Sequence, residues 1–231
     1  MKKNTQKKTT KTENKPTLVA FLLDRSGSMD ECKDETIKGF NAYIKELKGR
    51  GDGTMRFTLT QFDTQGVDIL CDAVPLKEVP VLTAATYVPR GGTPLYDAMG
   101  RTIRATETKA TGKYKVLFVT LTDGLENSSR EWNSDSIKVL IKSKEDQAKW
   151  TFAYIGVGLQ GWTATNAIAA GTIGASNVLQ STYAQTRQAY RRFAGATVAY
   201  ACSTGNVDCS TQNLWAPPIK TKPEDEPIAK P

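Results

Sequence analysis

The chain has 231 residues, of which 39% are apolar, and a formal net charge of +7. This length and composition predict one globular domain with a buried core. The longest purely apolar run, residues 18–23, is far shorter than the roughly 18 residues of a membrane-spanning helix. The sequence contains no histidine, which excludes Ser-His-Asp and Cys-His catalysis and imidazole bases. Its four cysteines form no Cys-x-x-Cys pair, so that without histidine the common zinc spacings are excluded as well.

The positive charge is concentrated at the start of the chain. Residues 1–16 contain six lysines and one acidic residue, and they lack the apolar residues that a folded segment needs. We therefore expect a disordered, solvated Lys-rich tail rather than a nucleic-acid or membrane arm. No apolar stretch follows these lysines as it would in a signal peptide, so we expect a cytoplasmic protein. Residues 215–231 carry five prolines among charged residues and are predicted to form a second disordered tail, leaving 17–214 as the domain.

The first half of the domain alternates between strand and helix patterns. Residues 17–23 form a β-prone segment that is continuously apolar from Leu18 onwards, as in a parallel strand that is covered on both faces. A helical spacing of apolar residues follows, from Ile37 to Leu47. Residues 55–63 and 67–72 are both strand-like, and the three residues between them suit a hairpin but not a crossover helix. One edge strand is therefore expected to be antiparallel.

The second half continues the alternation. Thr93 and Pro94 suit the cap and the first position of a helix. Further segments are predicted in chain order: a strand at 115–123, a helix around 137–141, a strand at 150–158, a short helix at 163–170, a strand at 176–180 and a helix at 181–200. This order predicts an α/β fold with a doubly wound, mostly parallel six-stranded sheet, one antiparallel edge strand and helices on both faces.

Three loops at the predicted carboxyl edge of the sheet contain polar residues. Doubly wound folds bind their ligands at this edge. Asp24, Ser26 and Ser28 follow the first strand, Thr93 begins a helix, and Asp123 follows the strand at 115–123. Two carboxylates and three hydroxyls are hard oxygen donors, which favour Mg²⁺ or Mn²⁺ over zinc or copper. The two carboxylates balance one divalent ion, and an open octahedral position would suit a carboxylate of a partner.

The Asp-x-Ser-x-Ser sequence, the threonine in "GGTPLYDA" and the "TDG" sequence together resemble the von Willebrand factor type A (VWA) family and its metal-ion-dependent adhesion site (MIDAS). The resemblance covers about residues 17–200. It implies a Rossmann-like fold and a non-enzymatic module that binds an Asp or Glu of a partner protein. Within the family, the chain resembles the cytosolic bacterial or phage type. The metal ligands that it implies, some direct and some through water, are Asp24, Ser26, Ser28, Thr93 and Asp123.

Two other functions remain open at this stage. A metal-dependent phosphohydrolase would use the same ion, but no histidine and no further carboxylate base is evident in these loops. An RNA-associated VWA protein would use the lysines of the first tail. We also expect Asp97 to bond to loop backbone or to Arg25, and Glu126 and Asn127 to lie at the rim of the site.

Overall fold

The structure, a computed structural model, describes residues 15–50, 53–147 and 149–202. The strands are β1 (Thr17–Asp24), β2 (Arg56–Asp63), β3 (Gly66–Pro75), β4 (Lys115–Thr122), β5 (Trp150–Val157) and β6 (Val178–Ser181). The helices are α1 (Lys33–Arg50), α2 (Leu95–Ala110), α3 (Ser134–Glu145), α4 (Gly158–Ala169) and α5 (Thr186–Cys202). A short 3-10 helix, Gly27–Cys32, joins β1 to α1.

The strands form one sheet in the order β3-β2-β1-β4-β5-β6. Neighbouring strands are parallel except β2 and β3, which form the expected antiparallel hairpin at one edge. The order reverses between β1 and β4, so the loops that follow these two central strands open side by side at the carboxyl edge. The predicted fold class is confirmed.

Helices cover both faces of the sheet. Every residue of β1 is buried, and alternate side chains enter two separate cores, as expected for a central parallel strand. Phe21 points to the face covered by α1 and α5, where its ring packs against Phe40 and Tyr190. Leu22 points to the face covered by α2, α3 and α4. Because β1 is fixed on both sides, its last residue, Asp24, is held in a defined position.

Several predicted boundaries differ from the structure. Helix α4 begins at Gly158 rather than near Thr163, because Gly158 has a φ of +65° and turns the chain directly from β5 into the helix. Strand β6 lies at 178–181, and α5 begins at Thr186 after a 3-10 turn. Helix α2 begins at Leu95, with Pro94 in the capping position that the sequence assigned to Thr93.

The two predicted tails fall mainly outside the described residues. Only Lys15 and Pro16 of segment 1–16 are described, and segment 215–231 lies wholly beyond residue 202. The predicted domain, 17–214, is described as far as residue 202. Within the described ranges, none of the helices has both the length and the apolar character needed to cross a membrane.

Candidate metal site

The first loop of the site begins where β1 ends. The Asp24 side chain is fully buried, and its Oδ1 accepts a hydrogen bond from the Ser26 backbone N–H at 2.7 Å. This bond closes a tight turn. The Oδ2 atom of Asp24 accepts from the Thr122 hydroxyl at 2.5 Å, which links the ends of β1 and β4. The carbonyl of Asp24 accepts from the Tyr87 hydroxyl at 2.7 Å, so both the side chain and the backbone of Asp24 are fixed.

The two serines of this loop point to the same side. The hydroxyl oxygens of Ser26 and Ser28 lie 3.3 Å apart, as expected for alternate residues on one side of a turn. Ser26 is buried and Ser28 is exposed, so the pair runs from the interior to the surface. The Ser28 hydroxyl donates to Asp123 Oδ1 at 2.8 Å. The first loop therefore contacts the carboxylate that follows β4.

Thr93 joins the same cluster from the loop before α2. A Cβ atom added at Gly124 would lie 3.1 Å from Thr93 Oγ1 and 3.6 Å from Ser28 Oγ. The two hydroxyls thus flank the same glycine, next to Asp123. The Gly27 backbone N–H donates to the Gly91 carbonyl at 3.0 Å, which ties the first loop to the second. The structure thus brings all five predicted residues, Asp24, Ser26, Ser28, Thr93 and Asp123, to one place.

The two carboxylates of this cluster, Asp24 and Asp123, are buried, and no positively charged side chain of the described residues pairs with them. Burial raises the pKa of Asp24 to about 7, although hydrogen bonds from Thr122 and Ser26 oppose the rise. Burial also raises the pKa of Asp123, against the opposing effect of the Ser28 hydroxyl. Neither carboxylate forms an ion pair within the described part of the chain. The buried Asp123 Oδ2 accepts no hydrogen bond of ordinary geometry from the described residues, although the nearby Tyr183 hydroxyl also opposes the rise in the pKa of Asp123.

Arg25, although next to Asp24, is turned away from the cluster. Its guanidinium donates to Asp63 at 2.8 Å, to Asp68 at 2.7 Å and to the side-chain oxygen of Gln61 at 3.2 Å. Arg90 donates to the same Asp63 oxygen at 2.9 Å, and its backbone N–H donates to the Arg25 carbonyl. Asp63, at the end of β2, therefore holds both arginines and braces the first and second loops, and neither guanidinium pairs with Asp24 or Asp123.

These features fit a divalent cation. A buried carboxylate oxygen without a donor is costly, and a metal ion supplies the missing positive charge. The neighbouring donors are hydroxyl oxygens, which suit a hard cation. Within the described ranges, no group of three or more Cys, Asp or Glu side chains is placed to hold a metal. The cluster of two carboxylates and three hydroxyls is instead the candidate site for a divalent cation.

Three neighbouring residues have clear roles in the loop that follows β4. Asp97 accepts hydrogen bonds from the backbone N–H groups of Arg130, Glu131 and Trp132, so the expected bonding to loop backbone is observed and bonding to Arg25 is not. Glu126 accepts from the N–H groups of Ser128 and Ser129 and from Tyr96. Asn127 is exposed beside the site, where it bonds to Thr93.

Thr122 is the residue of the cluster that the sequence did not single out. It precedes Asp123 at the end of β4, and its hydroxyl contacts Asp24 directly. In the sequence Thr122 is one of two threonines at the end of a mostly apolar strand, and it is completely buried, so the pattern alone does not distinguish it from a core residue. Only the pairing of β1 with β4 shows that a hydroxyl there faces a carboxylate from the other strand.

Comparison with known proteins supports this fold. The sequence matches no protein-family model and no curated protein. Among solved structures, the vWF domain of the type V pili tip protein Mfa5 from Porphyromonas gingivalis has a TM-score of 0.65 at 12% identity, over 84% of this chain and 99% of that one. Proximal thread matrix protein 1 (PTMP1) from the mussel byssus, with a zinc-occupied MIDAS motif, has a TM-score of 0.53 at 14% identity.

A third similar structure is the ArnB paralog VWA2 from Sulfolobus acidocaldarius, with a TM-score of 0.50 at 17% identity over 74% of this chain. The match covers 46% of PTMP1 and 43% of VWA2, which is less than half of each of those chains. At these identities the similarity shows the fold. The described chain has the fold of a von Willebrand factor type A domain.

Proposed function

We propose that this VWA domain is a divalent-cation-dependent module for binding another protein, and that it is not an enzyme. The cation is Mg²⁺ or Mn²⁺, held by Asp24, Ser26, Ser28, Thr93 and Asp123. An Asp or Glu side chain of the partner protein supplies a further ligand. When bound, the cation acts as the positive centre that attracts this carboxylate.

The observation that carries the proposal is the uncompensated pair of buried carboxylates. Asp24 and Asp123 lie at the ends of the two central strands, where burial raises the pKa of both, and the buried Asp123 Oδ2 accepts no hydrogen bond of ordinary geometry from the described residues. A protein that used these residues only for stability would be expected to pair them. Three hydroxyls beside them give the oxygen donors that a hard cation requires.

The site is open on the side where a partner would approach. Gly27 and Ser28 are exposed, whereas Asp24, Ser26, Thr93 and Asp123 are buried. Two carboxylates already balance the charge of a divalent ion, and neutral hydroxyls complete the set, so the ion keeps an affinity for one more anionic ligand. The zinc-occupied MIDAS motif of PTMP1 supports a divalent ion in a site of this fold.

Metal binding is tested first with the protein alone. We expect Mn²⁺ to bind with a stoichiometry of one in isothermal titration calorimetry, and Mg²⁺ to compete with it. Asp24→Ala and Asp123→Ala should abolish this binding. Asp34→Asn, which changes an exposed carboxylate at the start of α1, is the matched control and should bind as the wild type does. Absence of Mn²⁺ binding by the wild type would overturn the proposal.

Partner binding is tested next, by pull-down in Mg²⁺ and in EDTA with mass spectrometry. We expect a protein that is captured by the wild type in Mg²⁺, lost in EDTA and lost with Asp123→Ala. Replacement of one Asp or Glu of that protein by Ala should abolish capture. Capture that persists in excess EDTA would contradict a metal-dependent module. A cytoplasmic location stays a prediction from the sequence, which cell fractionation tests.

A further inference from the structure

Thr93 is bonded at both its backbone groups to a single residue from another loop. The Thr93 N–H donates to Asn127 Oδ1 at 2.8 Å, and the Asn127 N–H donates to the Thr93 carbonyl at 3.2 Å. The two residues are 34 positions apart in the sequence. Because Asn127 bonds to both the N–H and the C=O of Thr93, the loop after β4 holds the backbone of Thr93 and with it the place from which its side chain enters the cluster.

The residues before Thr93 are held by other loops, since the Gly91 carbonyl accepts from the Gly27 N–H at 3.0 Å and the Gly92 N–H donates to the Thr64 hydroxyl at 3.3 Å. Gly91 and Gly92 precede Thr93, and Gly91 has a φ of +66°. Pro94 follows and has no backbone N–H to donate. A Cβ atom at Gly92 would lie 2.8 Å from Asn127 Oδ1, so this glycine permits the close approach of the asparagine. Among the described residues, Asn127 is the one bonded to the backbone of Thr93 itself.

Asn127 is itself held in a pre-organised loop. One oxygen of Glu126 accepts from the N–H groups of Ser128 and Ser129 at 2.8 and 2.6 Å, and the other accepts from the Tyr96 N–H at 2.9 Å. The Ser128 hydroxyl donates to Asn127 Oδ1 at 2.5 Å. The Asn127 side chain is thus bonded by Ser128, and its backbone lies in a turn that Glu126 holds, three residues after Gly124.

We infer that Asn127 is a positioning residue for the metal site, which fixes the Thr93 hydroxyl relative to the Asp123 carboxylate. The inference rests on the proposed metal site and adds to it a residue that does not contact the cation. Asn127 has an exposed side chain, so its removal does not open a cavity in the core. Its removal should therefore cost in stability only the hydrogen bond to the Thr93 N–H, and its main effect should be on metal affinity.

The test is Mn²⁺ titration of Asn127→Ala and Asn127→Asp. Loss of a residue that orients a ligand typically weakens metal binding by about 10- to 100-fold, and we expect Asn127→Ala to raise the Kd by at least about 10-fold. Asn127→Asp keeps the acceptor oxygen and the backbone N–H, so its Kd should return to the wild-type value or below it. In EDTA, Asn127→Ala should melt slightly below the wild type, because the N–H of buried Thr93 loses its acceptor, and Asn127→Asp should melt as the wild type does.

Asn133→Ala is the matched control. Asn133 caps α3, where its side chain accepts from the Ser136 N–H at 2.9 Å, away from the cluster. This variant should melt at a lower temperature in EDTA and keep the wild-type Kd for Mn²⁺. Wild-type affinity in Asn127→Ala, or failure of Asn127→Asp to restore affinity, would overturn the inference while the metal site stands. No Mn²⁺ binding by the wild type would overturn both.

Discussion

Thr122 shows how one hydroxyl can tune a buried carboxylate. Its bond to Asp24 Oδ2 lowers the pKa of Asp24 against the larger effect of burial. The same hydroxyl accepts from the Gly124 N–H at 3.2 Å, so it also shapes the turn that follows Asp123. Thr122 therefore supports both candidate carboxylate ligands from beneath the site.

We predict that Thr122→Val weakens Mn²⁺ binding by about 10- to 100-fold, the usual effect of removing a group that orients a metal ligand. Valine fills nearly the same space but cannot donate to Asp24. Thr122→Ser keeps the hydroxyl and should bind Mn²⁺ within a few-fold of the wild type. Calorimetric titration of the three proteins measures this. Equal affinity for Thr122→Val and wild type would show that the hydroxyl has no part in the site.

Asp97 illustrates a carboxylate with a structural role. Burial alone would raise its pKa, but the backbone N–H groups of Arg130, Trp132 and Glu131 together outweigh burial and lower the pKa. The charged form of Asp97 is therefore stabilised in the folded protein. These three bonds anchor the loop after β4 to the first turn of α2.

We predict that Asp97→Asn lowers the free energy of unfolding at pH 7 by about 2 kcal/mol, because an amide NH₂ replaces the oxygen that accepts from Arg130. A lowered pKa gives stability above the unfolded-state pKa, about 3.9, that disappears as the pH falls through the folded-state value. Urea unfolding should thus show a constant difference from pH 7 to about 5 and a shrinking one below about 4. A difference that does not change with pH would exclude this explanation.

Helices α1 and α5 pack closely because α1 has a glycine at their contact. A Cβ atom at Gly39 would lie 2.4 Å from Tyr190 Cδ2 and 3.1 Å from the Arg187 Cα. Tyr190 is completely buried and stacks on Phe21 of β1, so it has no room to move. Gly195, within α5, has nothing within 4 Å of its added Cβ atom.

We predict opposite effects of the same substitution at these two positions. Gly39→Ala should destabilise the protein by about 1 to 3 kcal/mol, since it overpacks the core. Gly195→Ala should stabilise it by about 0.5 to 1 kcal/mol, because alanine is the better helix former and no contact opposes it. Chemical denaturation measures both values. A stable Gly39→Ala variant would show that α5 can shift away from α1.

The order of the elements could be predicted because each one carries a local signal. Strands β1, β4 and β5 are short apolar runs buried on both faces, and the hairpin follows from the short connection after β2. The boundary of α4 was wrong, since it depends on the positive φ of Gly158, a conformation that an apolar period does not reveal.

The candidate site divides in the same way. Asp24, Ser26, Ser28, Thr93 and Asp123 lie in recognisable short motifs at predicted element ends. The bracing of the loops by Asp63 and Asn127 could not be predicted, because the partners of these residues are 27 to 38 positions away in sequence. Such bonds depend on which strands and loops become neighbours, and that is known only once the sheet is assembled.

At the scale of the whole molecule, the two buried carboxylates at the carboxyl edge of the sheet lower the stability of the metal-free protein. Asp24 and Asp123 raise each other's energy, since Asp123 contributes to the raised pKa of Asp24 and both are removed from water. A cation that binds only the folded state raises the free energy of unfolding by mass action and offsets this cost. The stability of the domain should therefore depend on the cation. Removal of one carboxylate should leave the metal-free protein at least as stable as the wild type, but should make it less stable than the wild type when the cation is present.

We predict that Asp123→Asn reverses its rank against the wild type when metal is added. In EDTA the variant should be as stable as the wild type or more stable, because it removes one buried charge and keeps the oxygen that accepts from Ser28. With Mg²⁺ at 100 times its Kd, the wild type should gain about 2.7 kcal/mol and the variant nothing. Denaturation in both buffers measures this, with Asp34→Asn expected to follow the wild type. A variant that is less stable than the wild type in EDTA, or that gains equally from Mg²⁺, would show that Asp123 belongs to the scaffold rather than to a cation site.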